Sequence, residues 1–286
     1  MSGKRSLFEI HLAVLLFGLA GLFGKWLALS PVIIVLGRVF FASLALALIF
    51  LFARQSLRIS PRKNYLLFFL LGLILSIHWI SFFKSIQVST VAVGLLSYSI
   101  FPIFTAFLEP LFFKEKLVKL NLIFAFFCFA GVYLIVPRFD LSNSIYQGVL
   151  WGLLSAFTFA LLVILNRQLS QKYSSLVITF FQDFFATLLL LPFIFFIRPD
   201  LNIRNIYLLI ILGVFCTAGA HSLFIKGMKY IKAQTASIIG SLEPVYGIVL
   251  AFAFLGEIPS LRTILGGLIV LGAVFTVTIR TGTRLT

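Results

Sequence analysis

Glu243 and Pro244 stand at the centre of Ala233 to Leu255, AQTASIIGSLEPVYGIVLAFAFL, an apolar stretch long enough to span a bilayer. A carboxylate at hydrocarbon depth costs about 2.5–3.5 kcal/mol on insertion scales, so it faces protein or a water-filled cavity. Ala236, Gly240, Gly247 and Ala251 fall at helical spacing around it and form a face of small residues where a second helix can approach. Pro244 lacks a backbone donor and predicts a kink or an unpaired carbonyl beside the acid. Two roles are open to Glu243. It is a titratable group at which a proton competes with the cationic group of a solute, or a hydrogen-bonded acid that only caps the break at the proline.

Other polar residues fall inside apolar stretches. His221, in CTAGAHSLFIKGMKY, is suited to proton relay or solute binding, or else to a single interhelical hydrogen bond. The stretch SIHWISFFKS carries His78, Trp79, Ser81 and Lys84. Trp79 is either packing or a stacking platform. Lys84, at a helix end, either binds a carboxylate, which with Glu243 would suit a zwitterion, or simply reaches water. Gly94, Ser97, Tyr98, Phe101 and Thr105 share a face on which Tyr98 offers a ring and a hydroxyl. Asp183 and Arg38 are expected to pair as buried charges, and Glu109 to pair locally with Lys114 and Lys116. Cys128 and Cys216 lie in apolar runs without metal-ligand spacing.

The elements that position these groups are membrane spans. Of the 286 residues 61% are hydrophobic and 11% charged, too little polar surface for a soluble domain. Apolar runs of about 20 residues match a hydrocarbon core about 30 Å thick, and they do not alternate as barrel strands would. Ten spans are predicted: 8–29, 31–53, 65–84, 88–113, 120–136, 146–166, 175–197, 206–226, 233–255 and 261–279. The first is read as a retained span rather than a signal peptide.

The net charge of +15 sits mostly in short loops, a pattern of membrane orientation and not of nucleic-acid binding. With a cytoplasmic N-terminus the inner side holds most of it, including Lys4, Arg58, Lys63, Lys119, Lys229 and Lys232. Lys25, Lys84, Arg138, Arg198, Arg204 and Arg262 fall outside, which puts both termini in the cytoplasm.

The halves repeat. Lys84 and Lys226 precede Pro102 and Pro244 by the same 18 residues, and Glu115 and Glu257 follow them by the same 13. Gly131 and Gly272 come next at nearly equal distances. Five spans per half is an odd number, so the second half, residues 142–286, enters the membrane in the opposite sense to residues 1–141. The fold class is all-α integral membrane, with ten transmembrane helices in two inverted five-helix repeats, and such transporters bind solute near the midplane.

The repeated pattern reads FPIFTAFLEPLFFKEKL…FAGVYLI and then EPVYGIVLAFAFLGEIP…LGAVFTV. It resembles the two EamA domains of the drug/metabolite transporter superfamily over nearly the whole chain. A Lys stands in LFFKEKL where a Gly often precedes the Glu of that pattern. The resemblance implies a central cavity lined by helices 1, 3, 4, 6, 8 and 9, and places the seventh helix, with Gln182 and Asp183, outside its wall. It also implies solutes ranging from amino acids to nucleotide-related metabolites.

No Walker loop, GxGxxG, HExxH or hydrolytic triad is present, so neither enzyme, cofactor nor metal is expected. The expected activity is secondary export of a small polar metabolite, amino acids or related amines first, by alternating access and with protons as a candidate coupling ion. Glu243, His221, His78, Trp79, Lys84 and Tyr98 are the expected binding residues. The alternatives are a carrier of nucleoside-like or S-adenosylmethionine-like metabolites, with Trp79 and Tyr98 stacking a base, and a lipid-modifying membrane enzyme. The latter needs clustered polar groups at one interface, and these are single and at different depths. A monomer in the cytoplasmic membrane is a plausible unit, and the sequence leaves the oligomeric state open.

Overall fold

In a computed structural model, residues 3–54, 59, 64–113, 120–228, 239–240 and 242–283 are described, and all their regular structure is helical. The first part of the chain forms α1 (Gly3–Trp26), α2 (Pro31–Phe52), α3 (Asn64–Val88), α4 (Val91–Tyr98), α5 (Phe101–Phe113) and α6 (Leu120–Ile135). The second forms α7 (Ser144–Ser170), α8 (Ser175–Leu190), α9 (Phe193–Ile197), α10 (Ile203–Gly213), α11 (Ala220–Met228), α12 (Glu243–Leu255) and α13 (Leu261–Thr283). A π-helical segment, Val214–Gly219, joins α10 to α11 without a break. Six stretches are long and apolar enough to cross a membrane: Arg5–Trp26, Pro31–Phe52, Asn64–Val88, Val91–Phe112, Ser144–Ser170 and Ile203–Gly227. Shorter apolar helices account for Ile123–Ile135, Ser175–Leu190, Glu243–Leu255 and Leu261–Thr276. This is a multi-pass membrane protein.

The helices start where the sequence supplies caps. Ser30, Thr90, Asn143, Ser174 and Asn202 each accept a backbone N–H from the first turn that follows. Breaks inside the expected spans come at prolines. The predicted 88–113 span is two helices, with α5 beginning one residue before Pro102, and the 175–197 span is interrupted at Pro192. The expected kink at Pro244 takes a different form. α12 begins at Glu243, so Pro244 lies in a first turn, where a missing N–H costs nothing. Residues 229–238 and 241, with Ala236, lie outside the described residues. So do Lys114, Glu115, Lys116 and Lys119.

Packing is closest where side chains are absent. α6 lies along α13, and a Cβ on Gly131 would come within 2.7 Å of the Gly266 carbonyl oxygen, one on Gly266 within 2.5 Å of the Gly131 oxygen. Gly272, the glycine expected to match Gly131, has nothing within 4 Å of such a Cβ. α1 meets α12 in the same way: a Cβ on Gly18 would come within 2.9 Å of the Gly247 nitrogen and 3.1 Å of the Glu243 oxygen. Around these contacts α3 packs on α7 and α8, and α2 on α8 and α10.

Polar ties hold both ends of α1. At one end Lys25 Nζ donates to the Ser89 carbonyl at 2.7 Å, and Gln87 Nε2 donates to the Leu29 carbonyl at 2.8 Å. Beside them Glu257 Oε2 accepts the Val91 N–H at 2.9 Å, so the acid of the repeat spacing caps the start of α4. At the other end Glu9 Oε1 accepts from Lys226 Nζ at 2.8 Å and from Arg5 Nε at 3.2 Å, joining α1 to α11.

Gly266→Leu will force α13 off α6 and lower stability by about 1–3 kcal/mol, the usual cost of overfilling a close contact. A thermal melt of the purified protein in detergent checks this, and an unchanged midpoint would contradict the approach described. Glu9→Gln, Lys226→Met and the double variant will show a coupling of about 1 kcal/mol, since one partner is half exposed and partly screened. Strict additivity in the same melts would mean the pair contributes nothing.

Candidate functional site

One continuous helix and three helix ends bring polar groups to one buried place. α3 supplies His78, Trp79 and Phe82, whose spacing puts them on one face, and α4 supplies Tyr98 at its last residue. α12 supplies Glu243 at its first residue, and His221 comes from the start of α11. With Phe17, Ala20 and Phe159 they line a small cavity, to which α2 adds Arg38. The space open to the centre of a water molecule is about 20 Å³, room for about one water. A smaller void of about 10 Å³ continues past Phe17, Phe159 and His221 to Asn166 and Phe224. No metabolite fits without movement of the helices.

The ionisable groups face the cavity without neutralising one another directly. Glu243 is 5% exposed and Arg38 1%, yet no carboxylate oxygen among the described residues comes within 4.0 Å of Arg38. Arg38 is held by other means. Its Nε donates to Thr217 Oγ1 at 3.0 Å and its Nη2 to the Cys216 carbonyl at 3.5 Å, both in the π-helical segment. Its guanidinium carbon stands 3.5 Å above the centre of the Trp79 ring.

The histidines differ. His78 Nδ1 lies 3.0 Å from both the carbonyl oxygen and the hydroxyl of Ser155, so the ring is tied to α7 in either tautomer. His221 makes edge contacts with Trp79 and Phe17, at 4.9 and 5.1 Å between ring centres. Tyr98 stacks on Phe101 at 5.3 Å. One face of Trp79 is thus covered by Arg38 and one face of Tyr98 by Phe101.

Five of the six expected residues therefore meet: Glu243, His221, His78, Trp79 and Tyr98. Lys84 does not line the cavity. It lies two residues beyond Phe82, about 200° around the helix, so it points away from the face that carries His78 and Phe82. On α4 only Tyr98 reaches the cavity. A Cβ on Gly94 would meet Ile86 at 2.6 Å, and one on Gly152 would meet Ser97 Cβ at 2.5 Å, so Gly94 and Ser97 serve contacts with α3 and α7.

The expected pair of Arg38 with Asp183 is not formed. Arg38 turns to the π-helical segment, and Asp183 Oδ2 is buried with no hydrogen-bond partner among the described residues. Its neighbour Gln182 donates to Asn166 Oδ1 at 2.8 Å, linking α8 to α7. Glu109 pairs with Arg167 of α7, where a local lysine was expected. Arg38 was assigned to a pair with Asp183 instead of to the site, and Thr217, which holds it there, was not singled out. A lone arginine within an apolar run was the available signal for the first, and the second has none.

Similarity to known proteins agrees with this architecture. The model of the EamA-like transporter family matches twice, over residues 5–136 and 146–279. The chain is 27% identical to the uncharacterized transporter YxxF of Bacillus subtilis, over 90% of this chain and 84% of that one. It is 30% identical to an uncharacterized transporter of Archaeoglobus fulgidus, over 68% and 69%. It is 26% identical to mouse solute carrier family 35 member G1, over 78% and 64%. A solved crystal structure with 18% identity superposes over the full length of both chains with a TM-score of 0.69, which speaks for the fold alone. With the family pattern covering nearly all of its length, the chain belongs to the EamA-like transporter family.

Proposed function

We propose that this membrane transporter is a secondary carrier of small polar metabolites, exporting amino acids or related amines by alternating access with protons as coupling ion. The observation that carries the reading is Glu243, a buried acid at a helix start, facing a small cavity with no ion partner among the described residues. An acid so placed binds either a proton or the ammonium of a solute, and competition between the two couples their fluxes. A cavity with room for about one water, beside an α1 tied at both its ends, supports a contracted intermediate of such a cycle.

In this reading the chain has ten spans in two inverted five-helix repeats, residues 1–141 and 142–286, that rock about the cavity. Proline-marked helix starts at Phe101 and Glu243 in corresponding parts of the halves support it. The Lys and Arg distribution supports a cytoplasmic membrane with both termini inside. His78 and His221 bind the polar part of the solute, and Trp79 and Tyr98 shape its apolar wall. For a nucleoside-like solute, Arg38 and Phe101 already take one ring face each of Trp79 and Tyr98.

The test is release of labelled solutes from proteoliposomes loaded with amino acids, amines and nucleosides, with and without a pH gradient. Selective release that the gradient changes about fivefold or more, within the range of single-site couplings, is expected. Glu243→Gln will abolish that dependence while the protein still folds. An unchanged gradient response in the variant would remove Glu243 from coupling, and selective release of adenine compounds would replace the substrate class.

A further inference from the structure

Arg38 is the largest fully buried side chain among the described residues, and its surroundings are unusual for a buried cation. Such a charge is normally paired with a carboxylate, because no water compensates it. Here its hydrogen-bond acceptors are a hydroxyl and a carbonyl, and the second bond is long at 3.5 Å. The acids Glu243 and Asp183 are both beyond ion-pair distance among the described residues.

The contacts that do exist fix the orientation of the group. Thr217 donates its own hydroxyl proton to the Leu212 carbonyl at 2.8 Å, which turns an oxygen lone pair toward Arg38 Nε. Trp79 supports one face of the plane. A guanidinium has five N–H donors. Two are engaged, one on Nε and one on Nη2, while Nη1 makes no hydrogen bond among the described residues. What is left is a fork of the kind that grips a carboxylate with two parallel bonds, on a side chain that lines the same cavity as Glu243.

We infer that Arg38 is the anion anchor of the transported solute, which carries a carboxylate for Arg38 and a cationic group for Glu243. This rests on the transport reading above and narrows it to zwitterions, with amines lacking a carboxylate excluded. An amine alone would satisfy Glu243 and leave the cation of Arg38 without an ion partner. A carboxylic acid alone would do the reverse. A zwitterion satisfies both and keeps the cavity neutral. Arg38 takes over the role expected of Lys84, whose side chain lies on the other face of α3.

The experiment is counterflow uptake of labelled L-leucine into proteoliposomes of the full chain loaded with an unlabelled amino-acid pool. Matched competitors outside are L-leucine, leucinamide and 4-methylpentanoate. Leucinamide keeps the ammonium and loses the carboxylate charge, and 4-methylpentanoate keeps the carboxylate and loses the ammonium. In the wild-type protein each analogue will compete at least about tenfold less well than leucine, since each leaves one buried polar group unmatched. Arg38→Gln will bring leucinamide within about twofold of leucine and leave 4-methylpentanoate poor, whereas Glu243→Gln will do the opposite.

Equal competition by leucine and leucinamide in the wild type would overturn the anchor, and that comparison needs no variant to fold. Slower uptake by Arg38→Gln with unchanged competitor ratios would do so too, because a purely structural tie between α2 and the π-helical segment predicts that pattern. If the wild type exchanged no member of the amino-acid pool, the transport reading would itself fall, a result distinct from either of these.

Discussion

A cation without an ion partner in a membrane bundle has to be held by dipoles, and Arg38 is so held by a local fault in helix geometry. An α-helix commits every interior carbonyl to its own ladder. The π-helical turn over Val214–Gly219 widens that ladder and makes the Cys216 carbonyl and the Thr217 hydroxyl available to a side chain from another helix. The approach depends on Gly213, because a Cβ there would lie 2.7 Å from the Arg38 carbonyl oxygen. One missing side chain thus lets α2 lie against the π-helical turn, the turn orients the guanidinium, and the guanidinium covers Trp79. His221 follows two residues after the turn and joins the same wall.

The same economy governs the helix breaks. Non-helical backbone in a bilayer persists only where its polar groups are satisfied within the protein. α4 ends and α5 begins around Ser99 and Ile100, where Ser99 donates its hydroxyl to the Leu96 carbonyl and its N–H to the Leu95 carbonyl. The start of α4 is closed by Thr90 and by Glu257 from the far side of the chain. The interruption after α4 therefore brings Tyr98 to the cavity without leaving these terminal groups bare.

Much of this was legible in the sequence, and the reason is hydropathy. Glu243, His78 and His221 stand out because polar groups in apolar spans need a protected place, and Trp79 and Tyr98 share their neighbourhoods. Lys84 shares a face with Ile77 and Ser81, and that face turns away from the cavity, which leaves the other reading offered for it, a helix end that reaches water. Arg38 was noticed but matched to Asp183 on charge alone, and a linear chain does not disclose that a carbonyl and an indole can substitute for an acid. The π-helical turn has no residue signature in VFCTAG, so Thr217 could not be singled out. The Glu109–Arg167 pair was invisible for a simpler reason: its members are 58 residues apart, and only the packing of α5 on α7 joins them.

Cys128 and Cys216 are both free and fully buried, the first against α13 and the second in the π-helical turn. A thiol sealed from water meets alkylating reagents slowly, whatever its intrinsic reactivity. The natural chain is therefore close to silent toward maleimides and methanethiosulfonates while it stays folded. A single cysteine placed at either end of α1 would report on its own surroundings against a dark background. Spin labels and fluorophores on that added cysteine can follow the opening of each side of the bundle, with the native sulfur atoms left in place.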